Sequence, residues 1–415
     1  MKTTFKLLVF LLAACAAAGA QAVPAATVRS VPITGELQYG LNYSQMAEFS
    51  SGLGDWQMST VSGSAAYANG KDRFPFSMEY GGGYTWIIAG PSYGAGLFQH
   101  LFLSQGIVWR KWNVTASNDI SYLPEAPITG FSGIPGIGEP IGVPSPAPPS
   151  GQSILTLNTV VIDNNTQGEL GHTLNYATSL NVGGSYNIFR YPDGNGLDMN
   201  MVSANAELTR RLNARNSLMG TYMYSQFSYP QYNFSLTTNS GTLGFQRVWN
   251  RKITTNISAG PQWLSSSDAA TVPSSVGITA NASINYQFQL NSASLVYSHG
   301  ISGGGGYLVG AELDSVLFAL SRQFGRKVTV GANAGYMRTA SLGNVPIFGA
   351  YGAIDAEFAG VQATRQLGRY FNMFANYTAI TQSSGNSLPS NVLNQLMQTV
   401  SFGIGYSPRS KHLRQ

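Results

Sequence analysis

Residues 275–290 read SVGITANASINYQFQL. Val276, Ile278, Ala280, Ala282, Ile284, Tyr286, Phe288 and Leu290 share one parity, and Ser275, Gly277, Thr279, Asn281, Ser283, Asn285, Gln287 and Gln289 share the other. Successive strand side chains point to opposite faces, so this is one strand with an apolar face and an uncharged polar face. At roughly 3.3 Å per residue it would run about 50 Å. Soluble strands are usually about 17–20 Å long, whereas a tilted strand crossing a bilayer needs about 9–11 residues in the lipid alone.

The same alternation recurs outward from this stretch. Phe74, Phe76, Met78, Tyr80, Tyr84 and Trp86 oppose Arg73, Ser77 and Glu79, and Val400, Phe402, Ile404 and Tyr406 form an apolar row at the end of the chain. Weaker copies lie at 37–43, 174–182, 202–208 and 371–377. Between the strands an Arg-x-apolar-Asn/Gly-Arg element repeats at 247–251, 322–326 and 365–369, with looser relatives at 211–215 and 288–292. Asn or Gly there predicts a tight hairpin turn needing positive φ. The turns at 69–73 and 109–112 fit the same series. A spacing of roughly 35–45 residues holds two long strands, a tight turn and a longer loop; the longer loops fall at 265–273, 303–309, 340–348 and 383–394. The expected fold is therefore all-β: a transmembrane antiparallel up-and-down β-barrel of about 16–18 strands. The poorly patterned region 113–173 leaves that count open. Within it, 123–152 is a Pro/Gly-rich loop in which no strand is expected.

Composition agrees. Only 10% of the 415 residues are charged, against roughly 25% in soluble domains. The chain is 12% aromatic, which argues against disorder. After the N-terminus no apolar run approaches the ~20 residues of a spanning helix. One Cys and 4 His leave no disulfide framework or multi-cysteine metal site, and no metal or cofactor is expected. Residues 1–22 read as a secretory signal peptide exported by the Sec pathway: basic Met1–Lys6, apolar Leu7–Ala20, and a cleavage site at Ala20, Gln21 and Ala22. Leu12-Ala13-Ala14-Cys15 keeps open a lipobox ending at Cys15. A periplasmic lead-in (23–33), the barrel (34–406) and a basic periplasmic tail (407–415) complete the chain.

The charges are sorted. Beyond the signal peptide, only Arg29, Arg190 and Arg338 lie away from the tight turns and the tail. Basic residues and aromatics cluster at one end: Trp109, Arg110, Lys111 and Trp112; Arg247, Trp249 and Arg251; Arg322 and Arg326; Arg365 and Arg369. An Arg or Lys on a barrel's outside at mid-bilayer costs about 2–4 kcal/mol, and Trp and Tyr prefer the interface, so this end is read as an interfacial belt against anionic lipid. Lipid also forbids open sheet edges, so the strands must close with apolar faces outward. A barrel of 16–18 strands can enclose a water-filled channel.

The signal peptide, alternating strands, tight turns set against long loops and apolar final strand together resemble a Gram-negative outer-membrane β-barrel of the porin type, over about residues 34–406. The ending departs from that pattern, since Phe402–Tyr406 looks like the terminal assembly signal but a basic tail continues after it. The resemblance implies a location in the outer membrane, contact with outer-membrane lipids and the assembly machinery, passive diffusion of small hydrophilic solutes, and a homo-oligomer by analogy with porin trimers. Two other readings stay open: a barrel for exopolysaccharide passage, and a structural or adhesive barrel with a plugged lumen. Nucleic acid is not an expected partner, because the bases ring a rim and form no groove.

Glu79, Asp119, Glu207, Asp355 and Glu357 are expected on the polar, lumen-lining face with Asn281 and Asn285, where the acids would favour cations. The alternative is that they pair with turn arginines or hydrogen-bond inside a packed barrel. His299 and Ser302 are the only pair that suggests an enzyme. Their spacing is one residue longer than the His-x-Ser of outer-membrane lipid hydrolases, and no carboxylate is evident nearby in sequence, so no catalysis is expected. His100 and His172 have no ligand-spaced neighbours.

Overall fold

The computed structural model describes residues 37–50, 55–69, 71–90, 96–124, 160–194, 196–304, 308–343, 353–384 and 395–407. The expected signal peptide, the lipobox, the lead-in, the Pro/Gly-rich loop beyond Pro124 and the basic tail beyond Ser407 lie outside them.

The strands are β1 (Leu37–Ser50), β2 (Trp56–Ala68), β3 (Phe76–Ala89), β4 (Gly96–Val108), β5 (Trp112–Pro124), β6 (Val160–Asn175), β7 (Thr178–Arg190), β8 (Met199–Arg211), β9 (Asn216–Tyr229), β10 (Phe234–Val248), β11 (Ile253–Ser266), β12 (Ser275–Phe288), β13 (Asn291–Ser302), β14 (Ala311–Phe324), β15 (Val328–Ser341), β16 (Ala353–Leu367), β17 (Phe371–Ser384) and β18 (Gln395–Tyr406). They form one 18-stranded sheet in which each strand pairs with its chain neighbours. The sheet closes where β1 pairs antiparallel with β18, from Leu41 opposite Tyr406 to Ser50 opposite Met397. The poorly patterned region supplies β5 and β6, which settles the count at 18. β5 also runs through Leu123 and Pro124, opposite Val161 and Val160, so strand enters the stretch expected to hold none. Pro124, which has no N–H to give the ladder, is the last residue of the strand.

The strand within 275–290 behaves as its alternation predicts. In β12, Val276 (69% exposed) and Ile278 point out of the barrel, while Thr279 (1%) points in. Exposed apolar residues of one parity recur around the barrel, as at Leu41 and Tyr43 on β1, Leu295 and Tyr297 on β13, and Phe402 and Ile404 on β18. The tight turns differ in chemistry from expectation. Gly325 and Gly368 do adopt positive φ (63° and 75°). The asparagines do not. Asn250 Oδ1 accepts from the N–H groups of Lys252 (2.8 Å) and Ile253 (2.9 Å), and Asn213 Oδ1 does the same for Arg215 and Asn216. They make the turn with the side chain, as Asx turns do. In the uncharged relative the positive φ falls on Gln289 (44°) and not on Asn291.

One pair of strands approaches unusually closely. A Cβ on Gly260 in β11 would sit 1.9 Å from the backbone oxygen of Gly241 in β10, and its neighbour Pro261 brings no N–H to the ladder. Gly260→Val should therefore part β10 from β11. We expect loss of the folded band in unboiled SDS gels, where closed barrels resist detergent, while Gly277→Ala, which meets nothing within 4 Å, leaves it intact.

Candidate functional site: the barrel interior and its mouth

Inward and outward faces are set by strand parity, so each expected site residue can be placed. Glu79, Asp119 and Glu207 alternate with the exposed apolar rows of β3, β5 and β8 and face inward. Asn281 and Asn285 share the inward parity of Thr279. Glu48 on β1 and Asp163 and Glu169 on β6 face inward as well, and were not singled out from sequence. The inward acids of the described strands thus all lie on β1–β8. The only lysine or arginine of inward parity on those described strands is Arg211, at the tight-turn end of β8. Glu207 is 3% exposed and accepts a hydrogen bond from the Thr209 hydroxyl at 2.9 Å.

Asp355 and Glu357 correct the expectation. On β16 the inward residues are Ile354, Ala356 and Phe358; Ala356 and Phe358 pack with Leu317, Met337, Ile380 and Met397. The acids share the outward parity of Val361. The apolar-outward rule is inverted here because the interior at this strand end is a packed apolar cluster.

These outward acids belong to a charged row on the rim. His299, Asp314, Arg338 and Asp355 stand directly opposite one another across β13–β16. His299 Nδ1 is 2.8 Å from Asp314 Oδ1 and Nε2 is 3.5 Å from Glu312 Oε1. The Tyr297 hydroxyl donates to Asp314 at 3.2 Å, and the Tyr336 hydroxyl donates to Asp355. The ligand atoms of His299, Glu312 and Asp314 all lie within 4.8 Å of one another, the only such group among the described residues. His299 therefore does have carboxylate partners, contrary to the expectation from sequence. Ser302 has the inward parity of β13 and its hydroxyl bonds the Ala311 carbonyl at 3.4 Å, so the two do not form a nucleophile pair.

The interior also holds what alternation alone does not show. At the long-loop end, Val161, Phe189, Met199, Phe227, Tyr229, Phe234, Leu236 and Leu264 face inward and are covered by loop residues Tyr191, Leu197, Val272 and Val309. Asp268 makes the turn that delivers Val272. Its carboxyl is held below the ordinary carboxylate range by the Thr271 hydroxyl and the Ala270 N–H, and Ser266 Oγ donates to the Val272 carbonyl at 2.6 Å. The loop between β13 and β14 reaches across to β8–β10. Tyr229 Oη donates to the Gly303 carbonyl (2.7 Å) and accepts from the Gly310 N–H (2.9 Å). A Cβ at Gly303 would meet Met199 Sδ at 2.3 Å and one at Gly310 would meet Leu236 Cδ1 at 2.2 Å, so glycine is needed where the loop lies on the wall. Both parities are apolar in this part of the strands, as at Met201/Val202, and that lapse of alternation is the one local signal of the mouth core in the sequence.

The opposite end carries the basic and aromatic turns. Trp109, Trp112 and Trp249 are exposed. The Arg247 guanidinium lies 4.0 Å over the Trp249 ring, Arg322 lies 4.9 Å over Phe324, and Lys252 Nζ is 3.6 Å from the Phe288 ring centre, all cation–π contacts. Trp112 stacks on His172 at 3.8 Å. Arg326 and Arg369 stand in the β14–β15 and β16–β17 turns, Arg110 and Lys111 in the β4–β5 turn, Arg251 in the β10–β11 turn, and Arg365 on the outer face of β16.

The architecture is a closed antiparallel up-and-down barrel of 18 strands. Among solved structures, OccK2 (OpdF) of Pseudomonas aeruginosa superposes with a TM-score of 0.47 at 11% identity, over 90% of this chain and 99% of that chain. OpdL of the same organism gives 0.46 at 9% over 89% and 98%, and the outer membrane protein opdK gives 0.46 at 11% over 90% and 100%. No family model and no curated protein matches the chain. At such low identity these likenesses concern the barrel alone.

Tyr229→Phe deletes both bonds that tie the β13–β14 loop to the wall and leaves Gly303 and Gly310 unsatisfied in an apolar setting. A buried group so orphaned costs about 1–3 kcal/mol. We expect a lower unfolding midpoint in urea and more frequent switching between conductance levels in planar bilayers; identical traces and midpoint would show that the bonds hold nothing.

Proposed function

We propose that this chain is an outer-membrane channel, exported by the Sec pathway, through which small hydrophilic solutes diffuse passively with cations favoured. The observation that carries this reading is the inner wall itself: Glu48, Glu79, Asp119, Asp163, Glu169 and Glu207 against Arg211 alone among the described inward strand positions. In a channel, wall charge selects by field, and rings or stripes of acids favour cations. The basic, aromatic end would lie in the periplasmic leaflet, where each Lys or Arg near anionic headgroups contributes about 1 kcal/mol. The OccK2 structure in complex with glucuronate does not transfer a uronate to this chain, because an acidic wall repels a carboxylate.

The apolar mouth core favours a second reading, a structural barrel whose loops seal the lumen. Liposome swelling separates the two: swelling with small sugars supports the channel, and none supports the seal. For the channel, purified mature protein in a planar bilayer under a KCl gradient should give a reversal potential of the cation-selective sign. Glu79→Gln with Asp119→Asn and Glu207→Gln should lower the cation/anion permeability ratio at least about twofold. An anion-selective sign in the unaltered protein would overturn the reading.

A further inference from the structure

Beside the acids at large, one part of the inner wall is built differently. Asp119, Asn165 and Asn187 stand directly opposite one another across β5, β6 and β7. The next row brings His100, Ser121 and Asp163 together across β4, β5 and β6. Residues directly opposite on one face have Cβ atoms about 4.5–5.5 Å apart, so the two rows form one patch.

Its polar atoms are unbalanced. His100 Nε2 is 2.7 Å from Asp119 Oδ1. A carboxylate only accepts, so the ring donates through Nε2 and its second nitrogen is Nδ1. That Nδ1 is buried without a hydrogen-bond partner. So are Asp163 Oδ1, Asn165 Oδ1 and Asn187 Oδ1, although the Asn187 side chain also bonds Asp163. Asn187 is 1% exposed. Three buried oxygens without a hydrogen-bond partner, on Asp163, Asn165 and Asn187, meet here beside the Asp119 carboxylate. Buried polar groups in native proteins are satisfied in the large majority, so a patch this rich in orphaned acceptors calls for a donor or a positive charge from outside the chain.

We propose that the inner wall of β4–β7 holds a small monovalent cation, either an inorganic ion or the ammonium or guanidinium group of a passing solute, between Asp119, Asp163, Asn165 and Asn187. The site rests on the channel reading for its purpose, since a weak wall site lets a permeant ion enter and leave. Its existence does not require conduction. The rim group at His299 lacks this feature: its acids are half-exposed and its imidazole is already held by Asp314.

The test is thermal unfolding of the detergent-solubilised mature protein at fixed ionic strength, because a ligand that binds only the folded state raises the midpoint. Choline chloride, whose cation offers no N–H donor, sets the baseline. Replacing choline with roughly 20 mM methylguanidinium chloride, or in a separate arm with K⁺, should raise the midpoint by about 2 °C or more. A rise with methylguanidinium alone assigns the site to a solute cation, and a rise with K⁺ alone to an inorganic ion. Asp163→Asn should abolish the rise, and so should Asn187→Leu, which keeps the test decisive if one variant fails to fold. Equal midpoints in all salts, or a rise that survives both substitutions, would overturn the site. A rise in a protein that conducts nothing in planar bilayers would keep the site and remove the channel.

Discussion

Everything in this barrel depends on one constraint: a sheet in hydrocarbon can have no unpaired edge. Each open backbone group there costs several kcal/mol, and water is absent to satisfy it. The pairing of β1 with β18 removes the last edge, and with it settled, the outer and inner faces of every strand are assigned. The exposed rows of Leu, Ile, Val and Tyr are then no defect. They are the solvent-facing surface for a solvent made of acyl chains. Closure also explains why the interior holds the acids, the asparagines and the glycines that let neighbouring strands crowd together.

The barrel is nevertheless two materials end to end. Near the tight turns, apolar faces point out and polar faces point in. Near the long loops the assignment relaxes. Phe227, Leu236 and Phe358 turn inward, the first two under covering loops, while Glu312, Asp314, Asp355 and Glu357 turn outward. The same parity thus means opposite things at the two ends of one strand, as β16 shows between Val361 and Asp355.

How far the sequence could be read depended on this division. The strand in 275–290 and the turn series were legible because alternation and turn chemistry are local. Asn281 and Glu207 were placed on the inward face for the same reason. Asp355 and Glu357 defy the alternation rule because it lapses toward the long loops, where the apolar partners of Phe358 come from β14, β15, β17 and β18. The contact of His100 with Asp119 was invisible because it depends on the register between β4 and β5, which no spacing along the chain encodes. The mouth core had a faint local sign in strand ends where both parities are apolar, but its loop residues gave none.

The uneven distribution of carboxylates has a further consequence. Inward acids occupy β1–β8, while the wall from β9 to β18 is uncharged on its described inward strand positions. A potential therefore falls across the lumen as well as along it. In the channel proposed above, a solute with a positive head and a carbon tail would travel with its head turned to β4–β7 and its tail toward the uncharged wall. Such a passage would sort molecules by where their charge sits as well as by size, so two isomers of equal bulk would cross at unequal speeds.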